Sequence, residues 1–192
     1  MKLLKEELTK IVDKSILSDE DFQEAFQIAK ENSSGRIWLI GGFLYKNIAH
    51  ALYDSKKSTK DFDLIVEKAN EELMIPEGWR RTSNHFNGIK FVNGEKQIDF
   101  IPLNDIYYIS HNNLVPCIDN FLEGGALNIY CISYDILGKE ILGEVGIKGL
   151  EQKTVSAYNL RMLWYGAELY GKTPNEMIIK KAEELKFKAQ LI

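Results

Sequence analysis

The sequence predicts an α/β (α+β) fold, a short mixed sheet with helices on one face and further helices flanking it at both ends. Three observations predict it. Short apolar or alternating runs at Arg36 to Ile40 and Asp61 to Val66 are separated by a stretch with helical spacing. Asn93-Gly94 lies between two strand-like runs, and this dipeptide suits a tight hairpin because a type I′ turn needs positive φ at both central residues. Both ends of the chain carry apolar residues at helical intervals.

In order, Leu3 to Lys14 places Leu3, Leu4, Leu8, Ile11 and Val12 close to helical spacing. Ser18, three residues before Asp21, reads as the N-cap of a second helix from Asp19 to about Glu31, which buries Phe22, Phe26 and Ala29. Asn32-Ser33-Ser34-Gly35 stops it. Arg36 to Ile40 is a buried strand and Gly41-Gly42 a turn. Phe43 to about Tyr53 is a helix, with Leu44, Ile48 and Leu52 four apart. Asp54 to Lys60 is a polar loop, Asp61 to Val66 an alternating strand, and Glu67 to Glu72 a short helix. Asn87 to Val92 and Glu95 to Ile101 form the hairpin, and Ala126 to Tyr134 reads as another strand. From about Glu151 the chain is helical. Gly171-Lys172-Thr173-Pro174 divides two helices, with Thr173 as N-cap and Pro174 at the first helical position. The expected organisation is N-terminal helices over 1–35, a central unit over 36–150 and a helical extension over 151–192, packed as one unit because neither end has apolar surface enough for its own core.

At 192 residues, 45% hydrophobic and 27% charged, the composition is that of an ordinary globular domain. No run approaches the ~20 apolar residues needed to cross a bilayer, and the charged N-terminus has no signal-peptide core. A cytoplasmic location is the default expectation. Cys117 and Cys131 are too far apart for a CxxC zinc site and read as buried free thiols. The net charge of −4 argues against non-specific binding along a long polyanion. Lys180, Lys181, Lys186 and Lys188 mix with Glu183 and Glu184 as a solvated helix face.

The chemistry is carried by acids on strands. Asp61 and Asp63 are two apart, so both side chains point to one face while Phe62, Leu64 and Val66 point to the other. Asp99 lies between Ile98 and Phe100, which can share the core face and leave the acid on the opposite one. Three carboxylates converging on one face repel unless they are protonated or neutralised. A hard divalent cation is the usual solution, and magnesium favours a few carboxylates together with phosphate oxygens and water. Gly41-Gly42 stands between a strand and a helix, where the backbone can approach a phosphate beside a helix N-terminus.

The order of these parts resembles the polymerase-beta nucleotidyltransferase superfamily, and more closely the head domain of bacterial-type poly(A) polymerases and CCA-adding enzymes. The residues are Leu39-Ile40-Gly41-Gly42-Phe43-Leu44, Lys60-Asp61-Phe62-Asp63-Leu64 and Gln97-Ile98-Asp99-Phe100. The resemblance implies the nucleotidyltransferase fold. It also implies that Asp61 and Asp63 bind two Mg2+ (or Mn2+) ions, that Asp99 completes the site of the activating ion, and that Gly41 and Gly42 hold the triphosphate of an NTP. Where the family usually carries an Arg-Asp pair stands Tyr45-Lys46, and Lys46 supplies the remaining positive charge as a nucleotide-binding residue. The implied activity is transfer of a nucleoside monophosphate to a hydroxyl, favourably an RNA or tRNA 3′ end, with release of pyrophosphate. A toxin or phage-defence nucleotidyltransferase, or a module that binds nucleotide or partner without turnover, is the alternative. Arg80-Arg81 reads as an exposed pair before a strand, and His50, His85 and His111 as structural or exposed. Trp164 and Tyr165 occupy core-like helix positions and read as packing residues rather than base-stacking ones.

Overall fold

The structure, a computed structural model, describes residues 4–55, 60–84 and 88–192. His85, Asn87 and the loop residues 56–59 lie outside the described residues. Helices α1 (Lys5–Leu17) and α2 (Glu20–Glu31) precede strand β1 (Ser33–Ile40), helix α3 (Gly41–Tyr53) and strand β2 (Asp61–Ala69). Strands β3 (Arg80–Ser83), β4 (Ile89–Asn93) and β5 (Lys96–Pro102) follow, then short helices α4 (Tyr107–His111) and α5 (Ile118–Glu123). The remainder comprises β6 (Ser133–Asp135), β7 (Glu140–Leu142), α6 (Glu144–Gln152), β8 (Thr154–Ser156), α7 (Leu160–Leu169), α8 (Pro174–Leu185) and β9 (Lys188–Gln190).

Among the described residues, seven strands form one mixed sheet in the order β3-β4-β5-β2-β1-β6-β7. Its neighbours are antiparallel except β2 and β5, which run parallel with Asp63 opposite Asp99. The alternation of β2 does what it predicts: Phe62, Leu64 and Val66 are fully buried on one face, against α1, α2 and α3. Phe62, from between the two acids, meets Phe43 of α3 and Phe22 of α2 at ring-centroid distances of 5.0 and 5.6 Å. This aromatic cluster fixes β2 from behind and so sets where Asp61 and Asp63 stand. The same buried cluster reaches from Leu8 of α1 to Leu163, Ile178 and Leu185 of the last two helices.

The carboxylate face carries helices as well. Beyond the acids it continues into Ile65, Trp38 and Ile40, which α4 and α5 cover with Ile109 and Ile118. Below α6, the second ladder pairs β8 with β9 in parallel.

Several local readings are corrected. The N-cap of α2 is Asp19, whose side chain accepts from the Phe22 N–H at 2.9 Å, whereas Ser18 turns back to the Lys14 carbonyl at the end of α1. Residues 67–69 extend β2 instead of opening a helix, because Lys68 and Ala69 pair with Ser34 and Ser33. Gly41 and Gly42 are the first turn of α3. Of the expected strand 126–134, only Ser133 and Tyr134 join a strand, β6, and Leu127 makes an isolated bridge to Ala157. Asn128 diverts the rest, its amide accepting from Ile129 N–H and Ser156 N–H and donating to the Thr154 carbonyl. Strand β3 contains Arg80 and Arg81, both exposed, rather than following them. Thr173 and Pro174 begin α8 as the sequence predicts, with a reciprocal Thr173–Glu176 capping box. Cys131 is buried and Cys117 only half-buried. Among the described residues, no helix is long and apolar enough to cross a membrane.

Candidate active site

Pairing of β2 with β5 brings the three aspartates together. Asp63 and Asp99 are register partners on parallel strands, and Asp61 lies two residues before Asp63 on the same face. The carboxyls of Asp63 and Asp99 are within hydrogen-bonding reach of one another. Asp63 keeps some surface in the cleft but is densely surrounded by protein. That burial, and then the charges of Asp61 and Asp99, push its carboxyl up to about 8, against a single opposing hydrogen bond from the Gly42 N–H. Burial likewise raises Asp61, and Lys90 and Lys46 oppose the rise.

Gly41 makes this arrangement possible. Its φ is +69°, and a Cβ there would stand 1.8 Å from Asp63 Oδ2. No side chain larger than hydrogen fits between the α3 N-terminus and the acid. At Gly42 a Cβ would meet nothing closer than Tyr45 Oη at 3.8 Å, with Lys46 Nζ at 4.0 Å. Among the described residues the N-cap Ile40 offers no side-chain cap, and the first N–H groups of α3 face the cleft beside Asp63, which accepts from Gly42 N–H. Lys46 lies on this side too, 3.5 Å from Glu184 of α8, which Lys181 also holds at 2.6 Å.

The sequence reading missed Lys90. This β4 residue pairs across the ladder with Asp99, and its ammonium lies 3.4 Å from Asp99 and 3.9 Å from Asp61 while donating to Gln97 at 2.9 Å. Asn84 also donates to Asp99, at 3.3 Å. The signal was available: an Asn93-Gly94 turn sets Asn93 opposite Lys96, and counting back three pairs sets Lys90 opposite Asp99.

Among the described residues, no group of three or more His, Cys, Asp or Glu side chains stands ready to hold a metal ion as placed. Two features nevertheless suit a hard cation that brings phosphate and water as its other ligands. One Asp61 oxygen is buried without a hydrogen-bond partner among the described residues, and Asp63 sits between two like charges. Lys90 pairs with two of the three acids, nearer to Asp99 than to Asp61.

A cavity of about 390 Å³ opens on Gly41, Gly42, Tyr45 and Asp63 and is roofed by Met162, Tyr165, Tyr170 and Met177 from the C-terminal helices. Of the remaining polar residues, Arg80 and Arg81 stay on the exposed edge strand, His50 bonds the Ser55 carbonyl at 2.7 Å, and His111 stacks on Tyr107. Trp164 corrects its assignment as a packing residue. It is 61% exposed, because α7 turns its neighbour Leu163 inward instead.

No family model and no curated protein matches the chain. Solved structures do. A CCA-adding enzyme in complex with CTP superposes with a TM-score of 0.60 at 13% identity, over 96% of this chain and 43% of that one. The complex of a CCA-adding enzyme with ATP gives 0.61 at 13% identity, over 96% and 42%. The Thermotoga maritima CCA-adding enzyme complexed with tRNA gives 0.59 at 12% identity, over 96% and 42%. The chain thus spans less than half the length of these enzymes. At such identities the likeness concerns backbone architecture, and in that respect the chain has the nucleotidyltransferase fold of the CCA-adding enzymes.

Proposed function

We propose that the protein is a metal-dependent nucleotidyltransferase that moves a nucleoside monophosphate from an NTP to a hydroxyl acceptor, an RNA 3′ end being favoured, and releases pyrophosphate. The observation that carries this is the placement of Asp63 opposite Asp99 directly under the Cβ-less turn at Gly41. Asp63, with Asp99 paired behind it, and the N-terminus of α3 therefore face one cavity. Asp61, Asp63 and Asp99 would hold Mg2+ (or Mn2+), which when bound supplies charge neutralisation to the phosphates and acidifies the attacking hydroxyl.

The chain's own groups do the rest. Gly41 and Gly42 let backbone N–H groups reach the triphosphate, and Lys46 adds a point charge beside them. Lys90 holds Asp61 and Asp99 in place through its ion pairs, and the ring of Tyr165 closes the cavity against water. Titratable acids crowded in this way are typical of phosphoryl-transfer sites, where positioning and electrostatics supply most of the catalysis.

The test is incubation with each labelled NTP, magnesium and cellular RNA, followed by a gel and a pyrophosphate assay. Transfer that disappears in Asp99→Asn supports the reading. Absence of pyrophosphate release with every acceptor class refutes it. The pairing of Lys90 with two of the acids favours a second reading, a nucleotide- or partner-binding module without turnover. NTP-dependent stabilisation without pyrophosphate release would select that reading.

A further inference from the structure

Lys90 is held differently from an ordinary ion-pair partner. It lies on β4, between β3 and β5, with Thr82 and Asp99 as its register partners on the two sides. A residue paired on both sides cannot shift its backbone without breaking the register, so only its side chain is free to move. That side chain is 16% exposed and Asp99 beside it 15% exposed. Water and salt therefore screen the charges weakly.

The contacts of the ammonium are unequal. Gln97 Oε1 accepts from it at 2.9 Å, an ordinary hydrogen bond. Asp99 Oδ1 at 3.4 Å and Asp61 Oδ1 at 3.9 Å lie beyond the usual N–H···O range. That same Asp61 oxygen is buried and has no hydrogen-bond partner among the described residues. Ion pairs elsewhere in the molecule are closer: Lys60 meets Asp21 at 2.7 Å, and Lys96 meets Asp21 at 2.9 Å and Glu24 at 2.6 Å. Lys90 is thus anchored to a neutral amide and acts on the acids through its charge. It supplies a cation's field at Asp61 and Asp99 but not a cation's ligation.

Two consequences follow for a divalent ion. Magnesium binds carboxylate oxygens at about 2.1 Å, far closer than the ammonium stands, so the acids retain lone pairs to offer it. The ammonium, however, repels any second cation that approaches the same oxygens. A triphosphate at Gly41 and Gly42 would reverse that balance, because its negative charges offset the repulsion between ammonium and ion. Gln97 meanwhile gives the ammonium a partner that it need not surrender.

We infer that Lys90 makes metal entry conditional on nucleotide. In the resting protein its charge holds a free divalent ion to weak binding at Asp61 and Asp99. When metal and NTP arrive together, Lys90 stays on Gln97 and yields the acids. Lys90 is a positioning residue in this role. The inference adds a regulation to the transferase site, and it rests on that reading for the acids as metal ligands.

The probe is Mn2+, whose free ion gives an electron paramagnetic resonance signal that disappears on binding. The full chain is titrated alone and with each of four non-hydrolysable NTP analogues, with correction for Mn2+ held by free analogue. Lys90→Met keeps the length of the side chain and removes its charge. Without nucleotide it should bind Mn2+ about tenfold or more tightly than wild type, and nucleotide should add less to its affinity than to that of wild type. Lys90→Arg keeps the charge and should bind the ion as weakly as wild type. A lysine that merely shaped the acids predicts the opposite sign, since its loss would spoil the site and weaken the metal. Should Lys90→Met not fold, wild type gives a second measurement, labelling by acetic anhydride read by peptide mass spectrometry. Saturating Mn2+ should raise the acetylation of Lys90 and leave that of Lys96 unchanged. Equal or weaker Mn2+ binding by folded Lys90→Met, or labelling of Lys90 that Mn2+ does not alter, overturns the inference and leaves the transferase reading. Absence of Mn2+ binding in every variant, with and without nucleotide, overturns both. Tighter Mn2+ binding by Lys90→Met, with no pyrophosphate released from any NTP by wild type, upholds the inference and removes the transfer.

Discussion

Asp63→Asn tests the electrostatics of the site more directly than an activity assay does. The native carboxyl is raised from an ordinary value near 3.8 to about 8. Below pH 4 both folded and unfolded chains hold this proton, and the group is neutral in its effect on stability. Between pH 4 and 8 the unfolded chain releases the proton and the folded chain retains it, so stability falls as pH rises. At about 1.4 kcal/mol per pH unit the loss accumulates to on the order of 5 kcal/mol above pH 8. The replacing amide can still accept from Gly42 N–H and can donate to Asp99, so it keeps the local bonds and removes the buried charge. Burying the amide has its own desolvation cost, so the substitution recovers only part of the loss. We expect Asp63→Asn to recover about 2 kcal/mol at pH 8.5 in chelator, which in a domain of this size raises the Tm by roughly 4–8 °C. Near pH 4 the two proteins should melt together. With magnesium, wild type should gain stability and the variant much less. A variant that melts below wild type at pH 8.5, or a difference that does not change with pH, refutes the reasoning.

Four further outcomes are expected. Gly41→Ala should lose several kcal/mol in a denaturant melt, since both its φ and its contact with Asp63 forbid a side chain. Gly42→Ala should fold normally and show weaker NTP-induced stabilisation, and a normal melt for Gly41→Ala would contradict the geometry. Lys90→Gln should destabilise the metal-free protein by about 1–3 kcal/mol, and most of that difference should disappear with magnesium present; calorimetry with and without chelator checks both. Asn128→Ala should cost about 2–4 kcal/mol by orphaning the backbone groups its amide now satisfies, and hydrogen exchange at Ser156 should accelerate.

What could be read in the sequence was whatever a short period encodes. The alternation around Phe62 gives the faces of β2, and Asn93-Gly94 gives the β4–β5 register, from which the Lys90–Asp99 pair follows by counting. The parallel pairing of β2 with β5 has no such local signature, although it alone sets Asp63 against Asp99. Residues 67–72 are strong helix formers, yet pairing of Lys68 and Ala69 with β1 outweighs a propensity of a few tenths of a kcal/mol per residue. The segment before β6 is rich in β-branched and aromatic residues, and Asn128 overrides them because its buried amide must be satisfied. Trp164 shows a different limit. Helical spacing marks the stripe it belongs to, but which stripe is covered depends on where α8 and the sheet lie.

The β8–β9 ladder has a mechanical consequence. Thr154, Val155 and Ser156 run beside Lys188, Ala189 and Gln190, so the segment bearing α7 and α8 is fastened at both ends to the same few hydrogen bonds. Asn128 ties β8 in turn to the loop before β6. Closing a long segment on itself costs little more than closing a short one, so this small clasp can hold a roof much larger than itself. Tyr165, Tyr170 and Met177 ride on that roof. The clasp therefore sets where the roof begins and ends relative to the cavity that opens on Gly41, Gly42 and Asp63.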